Sequence, residues 1–172
     1  MKNLLELLKG ADLRSIAQAD QVAREIKTDQ MKFDQVFEAT FSSDATVRLR
    51  ASDVIEKVTQ KQPQLIQKHK STLIDNLTYF HHQDTKAHIA LILGYLETNH
   101  QEFQIIFNTL SVWACDKTES KIVRINALQA LSELVERNDK KPSELRVLLS
   151  KVAEAEPTPL RARARKLLKK LK

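Results

Sequence analysis

One phrase recurs along this 172-residue chain and constrains its fold more than any other feature. In the clearest copy, which covers residues 44–58, Asp44 is followed by Val47, Arg48 and Ala51, and further apolar residues stand at 54, 55 and 58. Apolar positions 4, 8 and 11 residues after Val47 (51, 55 and 58) return to one side of an α-helix, because the helix has 3.6 residues per turn. The phrase therefore predicts an amphipathic helix.

Four further copies make this phrase a tandem repeat. They begin near residues 12, 84, 120 and 157, so that neighbouring copies lie 32 to 40 residues apart. Val123, Arg124 and Ala127 restate the pattern clearly, whereas the copy at 84 has His88 where the arginine stood. Each copy follows another amphipathic segment, so the repeating unit is a helical hairpin. A hairpin of this size must stack on its neighbours to bury its apolar face.

The phrase Asp-x-x-Val-Arg-x-x-Ala resembles that of HEAT repeats, and the resemblance covers nearly the whole chain. It implies an all-α fold, a right-handed α-solenoid of about five HEAT-like helical hairpins in a single domain over residues 1–172. It also implies that the second helices of the hairpins line a concave inner surface. It does not imply one function, because members include scaffolds, transport receptors, bilin-attachment proteins and DNA glycosylases.

Composition excludes several classes of enzyme and of membrane protein. Gly10 and Gly94 are the only glycines, so the chain has no Walker loop, dinucleotide-binding glycine motif or Gly-x-Ser-x-Gly elbow. Cys115 is the only cysteine, which excludes an internal disulfide and a multi-cysteine metal site and suits a reducing compartment. No stretch approaches the ~20 apolar residues that span a bilayer. We therefore predict a cytoplasmic protein without catalytic residues, metal, cofactor or membrane span.

The central second helix is the best-motivated candidate for a partner site. Residues 89–96 (IALILGYL) contain no charged side chain and are apolar around almost the whole helix, which is typical of buried helices. Either neighbouring elements cover this apolar strip, or part of it stays exposed and binds a partner. Gly94 would allow a backbone or a ligand to approach the helix closely. It could equally serve only to accommodate packing. We predict that a protein or peptide partner contacts the following residues: Arg50, His88, Leu91, Tyr95, Asn126 and Gln129.

The basic carboxyl-terminal segment supplies an alternative function. Residues 158–172 hold seven Lys and Arg and no acidic residue. Residues 1–157 hold 21 Lys and Arg and 22 Asp and Glu, so they are nearly neutral. The candidate basic patch comprises Arg161, Arg163, Arg165, Lys166, Lys169 and Lys170. Such a patch could bind nucleic acid with strong salt dependence. A terminal repeat also needs a polar outer face for solubility, and cations near a helix C-terminus complement its dipole.

Three other constellations have both a functional and a structural interpretation. The arginines at helix starts (Arg48, Arg124, Arg161) form either a basic ladder or bonds to aspartates and to carbonyls at the preceding helix end. His81, His82, Asp84 and His88 could bind a metal, although adjacent turn histidines usually face water. Trp113 and Asp116 could serve a HEAT-like DNA glycosylase, but they lie at the end of a first helix, away from a concave groove. A bilin-lyase-type enzyme is a further family-based alternative.

Local signals place the helix ends. Gly10 is predicted to end the first helix and Asp12 to cap the helix that follows. The second hairpin is predicted to begin near Asp29, with its turn at residues 42–44. Pro63 suits a first helical turn. The apolar residues between 65 and 80 predict one long first helix for the third hairpin.

Overall fold

A computed structural model describes residues 4–9 and 16–171, and these residues form helices and turns without a β-strand. The predicted all-α fold of helical hairpins is confirmed. Gly10 and Asp12 lie outside the described residues. The α-helices are α1 (Leu4–Leu8), α2 (Ile16–Ile26), α3 (Gln30–Ala39), α4 (Ala45–Lys61), α5 (Gln64–Gln67), α6 (Lys70–Asp75), α7 (Gln83–Gly94), α8 (His100–Cys115), α9 (Lys121–Asn138), α10 (Pro142–Ala155) and α11 (Thr158–Leu168), with a 3₁₀ turn at Leu77–Tyr79.

The chain forms two compact units, residues 1–69 (unit 1) and residues 70–172 (unit 2). In unit 1, α1 packs on α2 and α3 packs on α4, and the second helices α2 and α4 pack against each other. The side chains of Ile26, Phe33, Ile55 and Ile66 are fully buried there. Each hairpin therefore buries its apolar stripe against its own partner and against the next hairpin.

Unit 2 repeats this layering. Helix α8 packs on α9 and α10 packs on α11, while the second helices α7, α9 and α11 lie side by side in that order. Its fully buried side chains include Leu93, Phe103, Leu131 and Leu149. Three second helices thus form one continuous layer of unit 2.

The first residue of the repeated phrase caps its helix in the copies that begin at Asp44 and Ser120. The Asp44 carboxylate accepts hydrogen bonds from the backbone N–H groups of Thr46 and Val47, at 2.8 and 3.2 Å. Ser120 likewise accepts from the N–H of Val123 at 3.3 Å. These bonds satisfy N–H groups that have no partner within the helix. In these two copies the phrase therefore sets where the second helix begins.

The predicted long first helix of the third hairpin is wrong, because the segment is broken into α5, α6 and a 3₁₀ turn. His69 bonds to Asp34 of unit 1 at 2.6 Å and stacks on Phe37. Its neighbour Lys70 instead bonds to Glu102 of unit 2 at 2.7 Å. Adjacent side chains are thus held by different units, and the helix is interrupted at residues 68–69, directly before Lys70.

Asp34 makes the stability of unit 1 depend on pH. Burial alone would raise the pKa of this carboxyl, but hydrogen bonds from Lys68, Gln30 and His69 outweigh it and lower the pKa to about 2. A carboxyl whose pKa is lower in the folded state stabilises above its unfolded pKa of about 3.9, and the effect is lost as pH falls through the folded value. We expect Asp34→Asn to destabilise unit 1 at pH 7 and much less near pH 2, measured by urea unfolding. An equal loss at both pH values would contradict this.

Candidate partner-binding surface

The three second helices of unit 2 present adjoining rows of solvent-facing side chains. On α7 the row is Asp84, His88 and Leu91, at offsets of 4 and 7 residues that keep them on one helix face. On α9 it is Ile122, Asn126, Gln129 and Glu133, and Arg163 of α11 reaches the same row. We call these eight residues the second-helix surface.

Hydrogen bonds join the three rows. The Asn126 amide of α9 donates to the carbonyl of Ala87 in α7 at 2.9 Å. The Arg163 guanidinium of α11 donates to the Gln129 side chain at 3.0 Å, and the Gln129 amide donates to Glu133 at 2.7 Å. Because Asn126, Gln129, Glu133 and Arg163 are each held by a neighbour, this part of the surface has a defined arrangement before any partner binds.

Apolar side chains lie among these polar groups. Ile122 is 50% exposed, and Leu91 is partly exposed. Partly exposed aliphatic groups beside ordered polar groups are typical of protein-binding surfaces.

Four of the six predicted partner residues, His88, Leu91, Asn126 and Gln129, come together on this surface. Tyr95 is buried, and it is the residue that caps the end of α7 after Gly94. Arg50 belongs to unit 1, is buried, and donates to the carbonyl of Leu8 at 3.0 Å.

A family model described as a HEAT repeat domain matches residues 9–171. The chain is a HEAT-repeat protein. HEAT repeats generally mediate protein–protein interaction and scaffolding, and HEAT-repeat proteins are generally non-enzymatic. No curated protein and no solved structure gives a significant match to the chain. Among the described helices, none has the length and apolar character needed to cross a membrane.

The apolar strip of the central helix of this HEAT-repeat protein is mostly buried. Ile89, Ala90, Ile92 and Leu93 have no exposed surface, and Leu91 is the only residue of the strip 89–96 that stays partly accessible. A Cβ atom at Gly94 would lie 2.9 Å from Cα of Ala130 in α9. The prediction that neighbouring elements cover the apolar strip is therefore confirmed, and Gly94 has a packing role.

Two of the three repeated arginines of the HEAT phrase, Arg48 and Arg124, have a structural role, because each donates to a backbone carbonyl. Arg48 donates to the carbonyl of Ser42 at 2.7 Å. Arg124 donates to the carbonyl of Ala114, at the end of the preceding helix, at 3.0 Å. Arg161 is partly buried, and its Nε has no hydrogen-bond partner among the described residues. Arg124 thus connects a second helix to the end of the preceding first helix, whereas Arg48 connects its helix to the turn that precedes it.

Sequence reasoning missed the glutamates that link one HEAT hairpin to the next. Glu156 pairs with Arg124 at 2.8 Å, and Glu119 pairs with Lys86, whose ammonium also lies 4.6 Å from the centre of the Trp113 ring. Glu119 and Glu156 are 37 residues apart and each stands directly before a copy of the phrase. That repeat spacing was the signal that could have identified them.

The candidate basic patch divides between engaged and exposed side chains. Arg163 bonds to Gln129, whereas Arg165, Lys166, Lys169 and Lys170 are exposed. Within the described part of the chain, no carboxylate pairs with these four cations. They are available to solvent or to an anionic partner.

The remaining candidate sites are not assembled. His81, His82 and Asp84 are exposed, and the structure does not gather them with His88 as ligands within the described residues. Trp113 is buried, and Asp116 accepts two local bonds from Thr118 at the end of α8, which is a first helix. A metal site and a glycosylase-type site thus receive no support from these residues.

Proposed function

We propose that this HEAT-repeat protein is a protein-binding module whose partner contacts the second-helix surface of unit 2. The observation that carries the proposal is the set of hydrogen bonds that joins α7, α9 and α11, helices that also carry the partly exposed Leu91 and the exposed Ile122. Aliphatic contacts of this kind supply affinity, while fixed polar groups supply orientation. The family's general role in protein interaction supports the same class of function. No catalytic step or cofactor is part of the proposal.

Two exposed isoleucines allow a matched test by site-specific photo-crosslinking in the source cells. Ile122 lies on the second-helix surface and is 50% exposed, whereas Ile105 lies on the first helix α8 and is 45% exposed. We expect a photoreactive residue at position 122 to give a discrete cross-linked protein, and the same residue at 105 to give none. Cross-linking of equal intensity from both positions, or from position 105 alone, would contradict the proposal.

The alternative function is nucleic-acid binding by α11, and it is supported by the exposed Arg165, Lys166, Lys169 and Lys170. Binding through four phosphate contacts would weaken steeply with salt, with a logarithmic slope of roughly −3 to −4. A gel shift across a salt series tests it. Retardation that is lost in Lys166→Gln/Lys170→Gln would favour this alternative, and no retardation at low salt would remove it.

A further inference from the structure

A second surface, in unit 1, concentrates positive charge around a cavity. The C-terminal halves of α2 and α4 border a cleft of about 700 Å³, which we call the α2–α4 cleft. Asp20, Arg24 and Lys27 line it from the α2 side, and Lys57 and Lys61 line it from α4. Four cations and one carboxylate give these walls a net charge of +3.

This charge is a local feature of the cleft. Residues 1–69 contain 11 Lys and Arg and 10 Asp and Glu, a net charge of only +1. The excess positive charge is thus gathered at one place by the folding of α2 against α4, which places positions 20, 24 and 27 opposite positions 57 and 61.

One cation of the cleft is neutralised within unit 1 and three are not. Lys57 bonds to Asp20 at 2.7 Å and to Asp53 at 2.9 Å. Arg24, Lys27 and Lys61 have no carboxylate partner among the described residues of the unit. Three unpaired cations on the wall of one cavity attract an anionic ligand of matching size.

The chemistry of the lining distinguishes among anions. Phosphate sites commonly combine helix N-terminal N–H groups with arginine forks or lysine charges, whereas this cleft has three lysines and one arginine but lies at the C-terminal ends of α2 and α4. None of its lining side chains is aromatic, so it offers no platform on which a nucleic-acid base could stack. Lysines are flexible point charges that suit separate carboxylates.

The uncharged walls fit a polypeptide. Gln60 and Gln62 line the cleft, and their amide groups are able both to donate to and to accept from a peptide backbone. Ala23 and Val58 add apolar surface beside them. We propose that the α2–α4 cleft binds an acidic peptide segment of a partner protein, with its carboxylates on Arg24, Lys27 and Lys61. This site is in unit 1 and does not depend on the second-helix surface of unit 2.

Fluorescence anisotropy tests this proposal with a labelled oligo-glutamate peptide. The salt concentration is about 50 mM, at which surface charges are weakly screened. We expect the full chain to bind it and to bind an oligo-lysine peptide at least tenfold more weakly. The variant Lys27→Gln/Lys61→Gln should weaken oligo-glutamate binding roughly three- to tenfold, the effect of two ion pairs near a surface.

The matched control removes two lysines from elsewhere in unit 1. In Lys9→Gln/Lys32→Gln the lost charges lie outside the cleft, beside Glu6 and Asp29, and oligo-glutamate binding should stay within twofold of wild type. An equal loss in both double variants would show nonspecific charge attraction and overturn the proposal, as would absence of oligo-glutamate binding. A labelled single-stranded oligonucleotide serves as the competing ligand. If it binds more tightly than the peptide, and if this binding is lost in the cleft variant, the proposal is overturned in favour of nucleic acid.

Discussion

Replacing Arg124 by alanine should lower the free energy of unfolding of unit 2 by about 3–5 kcal/mol at pH 7, the cost of breaking a buried ion pair. Arg124 is 5% exposed and its partner Glu156 is 8% exposed, so neither group is well solvated when the other is removed. The guanidinium donates to the carbonyl of Ala114 and pairs with Glu156 of the next hairpin. Alanine would leave a buried carboxylate and a buried carbonyl without their donor. Urea unfolding followed by circular dichroism measures the loss.

The pH dependence separates the ion pair from simple loss of packing. The hydrogen bond from Arg124 and its positive charge lower the pKa of the Glu156 carboxyl in spite of burial. Since the folded pKa lies below the unfolded one of about 4.3, the pair stabilises fully above that value and loses its effect as pH falls through the folded pKa. The difference between wild type and Arg124→Ala should therefore shrink on acidification below about pH 4.

Two further variants serve as controls for Arg124. Arg165→Ala removes an exposed arginine of α11, and its effect should stay within about 0.5 kcal/mol. Adding Glu156→Gln to Arg124→Ala should recover part of the loss, because no unpaired charge then remains buried. A small effect of Arg124→Ala at pH 7, similar to that of Arg165→Ala, would refute the structural role of the HEAT arginine.

The repeated phrase made the helical hairpins predictable because its physics is local. Asp44 and Ser120 cap helices through bonds to residues two or three positions ahead, and helix periodicity sets which residues are buried. The break near His69 was not predictable in this way. It depends on Asp34, 35 residues away in the chain, and no short-range pattern encodes such a contact.

Helix periodicity predicted the residues of the candidate surface only where they lie inside a helix. Periodicity places Tyr95 one turn beyond Leu91 on the same face, but α7 ends at Gly94 and the Tyr95 side chain is buried. Arg50 was predicted to contact a partner, whereas the carbonyl of Leu8, 42 residues earlier, holds its guanidinium inside unit 1. His88, Asn126 and Gln129 lie within their helices, and the structure leaves all three partly exposed.

Gly94→Val should destabilise unit 2, because the contact between α7 and α9 leaves no room for a side chain at this position. A Cβ atom at this position would lie 2.9 Å from Cα and 3.0 Å from the carbonyl oxygen of Ala130. Both are backbone atoms, so α7 and α9 must separate along their contact. Overpacking of this kind costs about 1–3 kcal/mol for small additions, and the two further methyl groups of valine should bring the loss to the upper end of that range or beyond.

Two effects on stability oppose each other in the variant Gly94→Ala, so the sign of its stability change shows which is larger. Intrinsic helix propensity alone would make Gly94→Ala more stable by up to ~1 kcal/mol, whereas the contact with Ala130 predicts a net loss. We expect the free energy of unfolding to fall in Gly94→Ala and to fall further in Gly94→Val, measured by urea unfolding. Ala162→Val at an exposed position of α11 is the control and should change stability by no more than about 0.5 kcal/mol. A stabilised Gly94→Ala would mean that α7 and α9 do not approach each other as closely as 2.9 Å implies.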